Sequence, residues 1–321
     1  MNNKLDEMSQ ALQTVGVPDA ALADRDTAHL LVDAHQPLSV RDIPGVQLRL
    51  RRRLFGIIAE VNVSAGAKIH HPVHLCFGMF RQIGAQRVYL RVNIGDGASV
   101  RFLAHCLFAR ARRASHIMHA RMHIGRDAQM VIEEAHMHGT TGGIRVKAEA
   151  HITLAPGARL FSDFSLLQGR VGILETDYTV DVADHALAEL GVRVLGRAQD
   201  RIEIRDHVQL NGVDSRGIVK TRVALQDQAS AVIYGTTEGN AAGARGHMDC
   251  TEIVKDQATG ESVPVVRVNH PAAQVTHEAA IGTVDQTQLE TLMAHGLTPE
   301  EAVELVISGL LRPEKQSQDT R

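Results

Sequence analysis

The chain has 321 residues, 44% of them hydrophobic, enough to bury a sizeable core in one to three domains. Its 34 Lys and Arg nearly cancel its 37 Asp and Glu, and seven Phe and three Tyr with no Trp leave few platforms for stacking bases, which argues against nucleic-acid binding. No stretch reaches the ~20 apolar residues of a membrane span and the first residues are not signal-like, so a cytoplasmic protein with no membrane contact is expected.

Leu5, Met8, Leu12 and Val15 recur at helical steps, and Ala21 to Val32 gives a second apolar stripe after Gly16-Val17-Pro18. Residues 1–45 therefore read as an N-terminal helical segment. From Val46 to about residue 270, short β-branched runs alternate with turns containing Gly, Asp or Pro. Within this region an aliphatic residue is followed four places later by Ala and then by another apolar residue, as in Ile94-Gly-Asp-Gly-Ala98-Ser-Val100 and Leu154-Ala-Pro-Gly-Ala158-Arg-Leu160. The markers are Ala67, Ala98, Ala128, Ala158 and Ala186, then the degenerate copies at Val208 and Ala229, at steps of 31, 30, 30, 28, 22 and 21 residues. Each unit carries an apolar face that it cannot bury alone, so stacked coils of a β-helix are the expected outcome; an antiparallel sandwich with shared turn chemistry is the alternative.

The last fifty residues return to helical spacing. Leu289, Leu292 and Met293 precede Gly296, a suitable residue just past a helix end. Thr298-Pro299-Glu300-Glu301 then carries an N-cap, a proline at the first helical position and a capping-box glutamate, followed by Ala302, Val303, Val306, Ile307 and Leu310. This makes residues 271–313 a C-terminal helical domain and 314–321 a disordered tail.

The three cysteines, Cys76, Cys106 and Cys250, are widely spaced and odd in number, which fits reduced thiols better than a disulfide framework. Strand parity puts His70, His74 and Cys76 on one face, and Glu134, His136 and His138 on another, while His116, His119 and His123 do not share one. No interval matches a closed zinc pattern, so structural histidines are the plainer reading of these groups. The basic runs Arg49-Leu50-Arg51-Arg52-Arg53 and Arg110-Ala111-Arg112-Arg113 read as solvated edges, and no phosphate-binding loop or serine elbow is present, so no bound nucleotide is expected on this chain. Cys250 differs because the nearby Arg245 and His247 would favour a thiolate, against the alternative of an inert cysteine, and His277-Glu278 sets an imidazole beside a carboxylate, a pair that in isolation reads more readily as structural.

The blocks Arg216-Gly217-Ile218-Val219-Lys220, then Cys250, then Ala273-Gln274-Val275-Thr276-His277-Glu278-Ala279-Ala280-Ile281-Gly282, then Gly296-Leu297-Thr298-Pro299-Glu300-Glu301-Ala302 occur in the order seen in the SufB/SufD family. The chain resembles an iron–sulfur cluster assembly scaffold of that family over roughly residues 60–311. The resemblance implies a mainly β fold: a right-handed parallel β-helix with short N-terminal helices and a C-terminal helical domain that docks the ABC-type ATPase SufC. It also implies pairing of two scaffold subunits, as a homodimer or a SufB/SufD-type heterodimer, and a sulfur donor protein. The cluster would be transient, with Cys250, His277 and Glu278 as its ligands. Cys106, Cys76 and His74 are further candidates, and Leu289, Leu292, Met293, Gly296, Glu301 and Val306 are candidates for contact with the ATPase. Glu290-Thr291 and His295 replace the aromatic pair and Arg usual before the glycine that ends the first C-terminal helix. The chain itself is expected to be a scaffold, not an enzyme. A β-helical zinc metalloenzyme and a docking module without a cluster site are the rival readings.

Overall fold

The computed structural model describes residues 3–18 and 22–313. Among these residues, nineteen strands form two sheets, each visited on alternate passes of the chain, giving a parallel β-solenoid of about eight turns. The first sheet contains β1 (His29–Asp33), β2 (Gln36–Arg41), β5 (Val73–Gly78), β7 (Ser99–Phe108), β9 (Gln129–His138) and β11 (Arg159–Gln168). It continues through β13 (Leu187–Gly196), β15 (Arg216–Leu225), β17 (Arg245–Val254) and β19 (Gln274–Gly282). The second sheet contains β3 (Val46–Arg53), β4 (Gly56–Val63), β6 (Ile83–Ile94), β8 (Arg113–Ile124) and β10 (Ile144–Leu154). It ends with β12 (Gly172–Val182), β14 (Arg201–Leu210), β16 (Ser230–Gly239) and β18 (Thr259–Val268). Among the strands of the described residues, only the first hairpins, β1–β2 and β3–β4, pair antiparallel.

Alternation along each strand builds the core. In β14, Ile202, Ile204, Asp206, Val208 and Leu210 are buried while the residues between them are half-buried or exposed. The inner faces of the two sheets meet in one continuous aliphatic core running from Ala28 to Ala273.

The repeat read from the sequence is one corner of the coil. The residue before the marker alanine adopts a left-handed backbone in coil after coil, at Gly66, Gly97, Asp127, Gly157, His185, Asp214 and Gly243, which explains the Gly and Asp of the pattern. The last two markers need correction. Val208 lies inside β14, and Ala229 sits at the opposite corner, before β16. The true successors of Ala186 are Ser215, Ala244 and Ala273, linked by Arg216 N–H to Ala186 O, Arg245 N–H to Ser215 O and Gln274 N–H to Ala244 O, each at 2.9 Å. From Leu210 onward the corner gains one residue, so the four-place spacing fails, and the step from Ala186 through Ser215 and Ala244 to Ala273 is 29 residues each time.

Two further expectations shift. Helix α1 (Asn3–Thr14) forms, but of the stripe Ala21–Val32, whose Ala21 lies outside the described residues, Leu30, Leu31 and Val32 belong to strand β1, so the chain enters the sheets at His29, well before residue 46. At the other end, β19 adds a strand inside the segment expected to be helical. Met8 and Leu12 of α1 cover Leu31, Cys76 and Leu107 on the outer face of the first sheet. Two C-terminal helices, α2 (Gln286–Ala294) and α3 (Pro299–Leu310), follow β19. Val303, Ile307 and Leu311 pack on Leu195 of β13 and Ala224 of β15, and Arg193 donates to the Leu311 carbonyl at 2.9 Å. The expected tail, 314–321, lies outside the described residues.

Candidate functional site

Cys250 stands on the inner face of β17, 1% exposed, in register with Thr221 of β15 and Ala279 of β19. His277 lies two residues before Ala279, so it presents to the same inner side, in register with Met248. Its Nε2 is buried with no hydrogen-bond partner. Glu278 is in register with Asp249 and exposed, on the outer face of the sheet. Within one chain, therefore, Cys250 and His277 are brought to one side and Glu278 to the other.

The expectation that Arg245 and His247 promote the Cys250 thiolate does not hold in this arrangement, because strand parity turns both to the outer face. Burial instead pushes the thiol up to about 11, with the carboxylates of Asp206, Glu252 and Asp249 acting in the same direction. Burial also lowers the His277 imidazole, keeping it neutral and its lone pair available.

Two inward carboxylates escaped the sequence reading. Asp206 of β14 is raised to about 7, by burial first and then by the Asp177 charge. Glu252, two residues past Cys250 on the same face, is raised to about 7 by burial, and neither of its oxygens has a partner. Thr237 Oγ1 and Ser262 Oγ, also inward, are likewise unpartnered. Buried polar atoms are normally satisfied, so this concentration marks the last coils as unlike ordinary core.

These coils form an open end. Strands β19 and β18 are the last in their sheets, each with an unpaired edge. The inward side chains Val266, Val268 and Ile281 are 42%, 51% and 45% exposed, since no further coil covers them. Cys250 lies one strand in from this edge, under the small Ala279.

The other candidates separate. His74 and Cys76 point outward on β5, with Cys76 Sγ 3.9 Å from His105 Nδ1 and covered by α1. His70 is exposed and precedes the strand. Cys106 points inward on β7, in register with His136 of β9, and joins Glu134, His136, His138 and His116 in a second inward cluster. In the C-terminal helices, Leu289 packs against the solenoid and Met293 is 42% exposed. Gly296 has φ +98°, and Glu301 closes the capping box on Thr298.

No helix among the described residues is long and apolar enough to cross a membrane. The family model for the SUF system FeS cluster assembly SufBD core domain matches residues 92–310. An iron-sulfur cluster assembly SufBD family protein of Methanocaldococcus jannaschii is 31% identical over 311 residues, covering 97% of this chain and 98% of that protein. Another, from Pyrococcus horikoshii, is 33% identical over 293 residues, covering 91% and 89%. The iron-sulfur cluster assembly protein SufD of Bacillus subtilis is 28% identical over 123 residues, 37% of this chain and 28% of that protein. A solenoid whose open end carries an inward thiol and imidazole on its last two coils, and whose sequence matches near full-length relatives, identifies this chain as a member of the SufBD family of iron–sulfur cluster assembly proteins.

Proposed function

We propose that the chain is a non-enzymatic scaffold that builds a transient iron–sulfur cluster at the open end of its solenoid, between two copies. The observation that carries this reading is that the Cys250 thiol and the unpartnered His277 Nε2 both face inward at the open end, beside sheet edges with no partner strand, so that Cys250 of one copy can meet His277 of the other. Cys250 supplies the soft ligand for iron once its proton leaves, and His277 supplies a neutral imidazole. Glu278, on the outer face of the same edge strand, offers a harder oxygen ligand reached from a facing copy. The exposed inward Val266, Val268 and Ile281 give that copy an apolar surface to cover.

A SufC-like ABC ATPase docks on the C-terminal helices in this reading, through Met293, Leu292 and Val306, with Leu289 holding α2 on the solenoid. Gly296 ends α2, and Glu301 sets the start of α3 through the cap. Nucleotide binds to that partner, and its hydrolysis rearranges the paired scaffolds. A sulfur donor protein and a cytoplasmic setting complete the reading.

Anaerobic reconstitution with iron and sulfide tests it. The full chain should develop thiolate-to-iron charge-transfer absorption, and Cys250→Ser should lose most of it. Equal cluster loading in Cys250→Ser overturns the assignment.

A further inference from the structure

The second inward cluster lies far from the open end. Cys106 is on β7 and Cys250 on β17, five strand positions apart in one sheet, which at ~4.8 Å per strand is roughly 24 Å. Around Cys106, the Sγ lies 3.8 Å from His116 Nε2 and 3.9 Å from Glu134 Oε1, and that oxygen is 2.8 Å from His136 Nε2. The donor atoms of Cys106, Glu134 and His136 all fall within 4.8 Å of one another. Donors bound tetrahedrally to a zinc-sized ion at 2.0–2.3 Å stand about 3.3–3.8 Å apart, so an ion needs adjustments of about an ångström in the Cys106, Glu134 and His136 side chains.

The surroundings orient the donors. The Gln86 amide nitrogen donates to the carbonyls of Ala34 at 2.8 Å and Gly78 at 3.1 Å, which fixes its oxygen toward His116. That oxygen accepts from His116 Nδ1–H at 2.8 Å, leaving the Nε2 lone pair aimed at the Cys106 sulfur. His136 Nδ1 faces His138 Nε2 at 3.4 Å, a partner for its proton when Nε2 binds an ion. The rings of Phe108, 5.1 Å from His116, and Phe164, 4.9 Å from His136, pack against the two imidazoles. One thiolate and one carboxylate match the charge of a divalent ion, so the loaded group is neutral overall and can be buried.

We propose that Cys106, Glu134 and His136, with His116 beside the Cys106 sulfur, form a second, mononuclear site for a divalent transition-metal ion of borderline softness, of the ferrous or zinc class. Binding exchanges the Cys106 thiol proton for the ion, and the proton passes to solvent. The mixed sulfur, nitrogen and oxygen set selects against magnesium and calcium, which take all-oxygen shells. This site stands independently of the cluster reading at Cys250.

Cobalt(II) is the probe, added anaerobically to the metal-stripped full chain carrying Cys250→Ser, which removes the thiol at the open end. The expected result is one cobalt per chain, with thiolate-to-cobalt charge transfer and the intense visible bands of a tetrahedral ion. Adding Cys106→Ser should abolish the charge-transfer band, and Glu134→Gln, a neutral substitution of similar size, should weaken cobalt binding at least tenfold. Far-UV circular dichroism checks that each variant is folded, and Glu134→Gln decides the matter if Cys106→Ser is not. Absence of the charge-transfer band, both on incubation and after refolding in cobalt, overturns the proposal. So does its persistence in folded Cys106→Ser, or unchanged affinity in Glu134→Gln.

Discussion

Asp206 offers a direct test of the polar lumen. Its carboxyl is fully inside the solenoid, in register with Tyr178 and Gly235, and Oδ2 has no partner. Burial, reinforced by the Asp177 charge, raises it from 3.8 to about 7. Below about pH 4 the folded and unfolded chains both hold this proton, and the group adds no pH dependence. Between about pH 4 and 7 the unfolded chain ionises while the folded one keeps its proton, so stability falls as pH rises, and the loss levels off above 7. A separation of about three pH units at 1.36 kcal/mol each makes the full loss roughly 4 kcal/mol, an upper figure because the lumen can relax. Asp206→Asn keeps the shape and removes the ionisation. Chemical denaturation from pH 4 to 8 should find the variant close to wild type at pH 4 and more stable by about 2–4 kcal/mol at pH 8. A difference between the two proteins that does not change with pH refutes the buried, raised carboxyl.

At Gly143 a Cβ would stand 1.9 Å from the Arg112 carbonyl oxygen of the preceding coil, so Gly143→Ala must move backbone and should cost about 1–3 kcal/mol, read as a lower Tm. Thr298→Ala removes the side chain that accepts from Glu301 N–H and breaks the capping box; local protection of α3 in hydrogen exchange should fall by about 1 kcal/mol, with the solenoid strands unchanged. Glu252→Gln should mirror Asp206→Asn, stabilising the chain at pH 8 relative to pH 4, because burial raises that carboxyl to about 7 as well.

The coil was legible because its corner repeats a physical constraint: a left-handed residue followed by a small one that lets the next coil approach. The reading slipped at Val208 and Ala229 because the corner lengthened by a residue, which a fixed spacing cannot follow. The stripe from Ala21 to Val32 misled for a different reason. His29–Asp33 is buried on both faces, under α1 and over the core, and such a strand has no period-two alternation to betray it. Within the sites, parity alone placed Glu134, His136 and His138 together. The 30-residue step already found in the repeat, added to Cys106, lands on His136, and that signal was present in the sequence. Asp206 and Glu252 were harder to find, since a lone carboxylate at an inward position carries no motif, and only its lack of a partner in three dimensions singles it out. The influence assigned to Arg245 and His247 failed because neighbours in sequence along a strand face opposite sides.

In the proposed scaffold, ligands from two copies meet at the open ends of their solenoids, Cys250 of one with His277 of the other. Mixing chains that carry Cys250→Ser with chains that carry His277→Ala, refolding them together, and counting iron and sulfide after anaerobic reconstitution tests this most directly. Neither variant alone should hold a cluster, whereas the mixture should recover about a quarter of the wild-type loading, because half the dimers are mixed and each has one intact site. A mixture that loads no more than its separate components contradicts the claim.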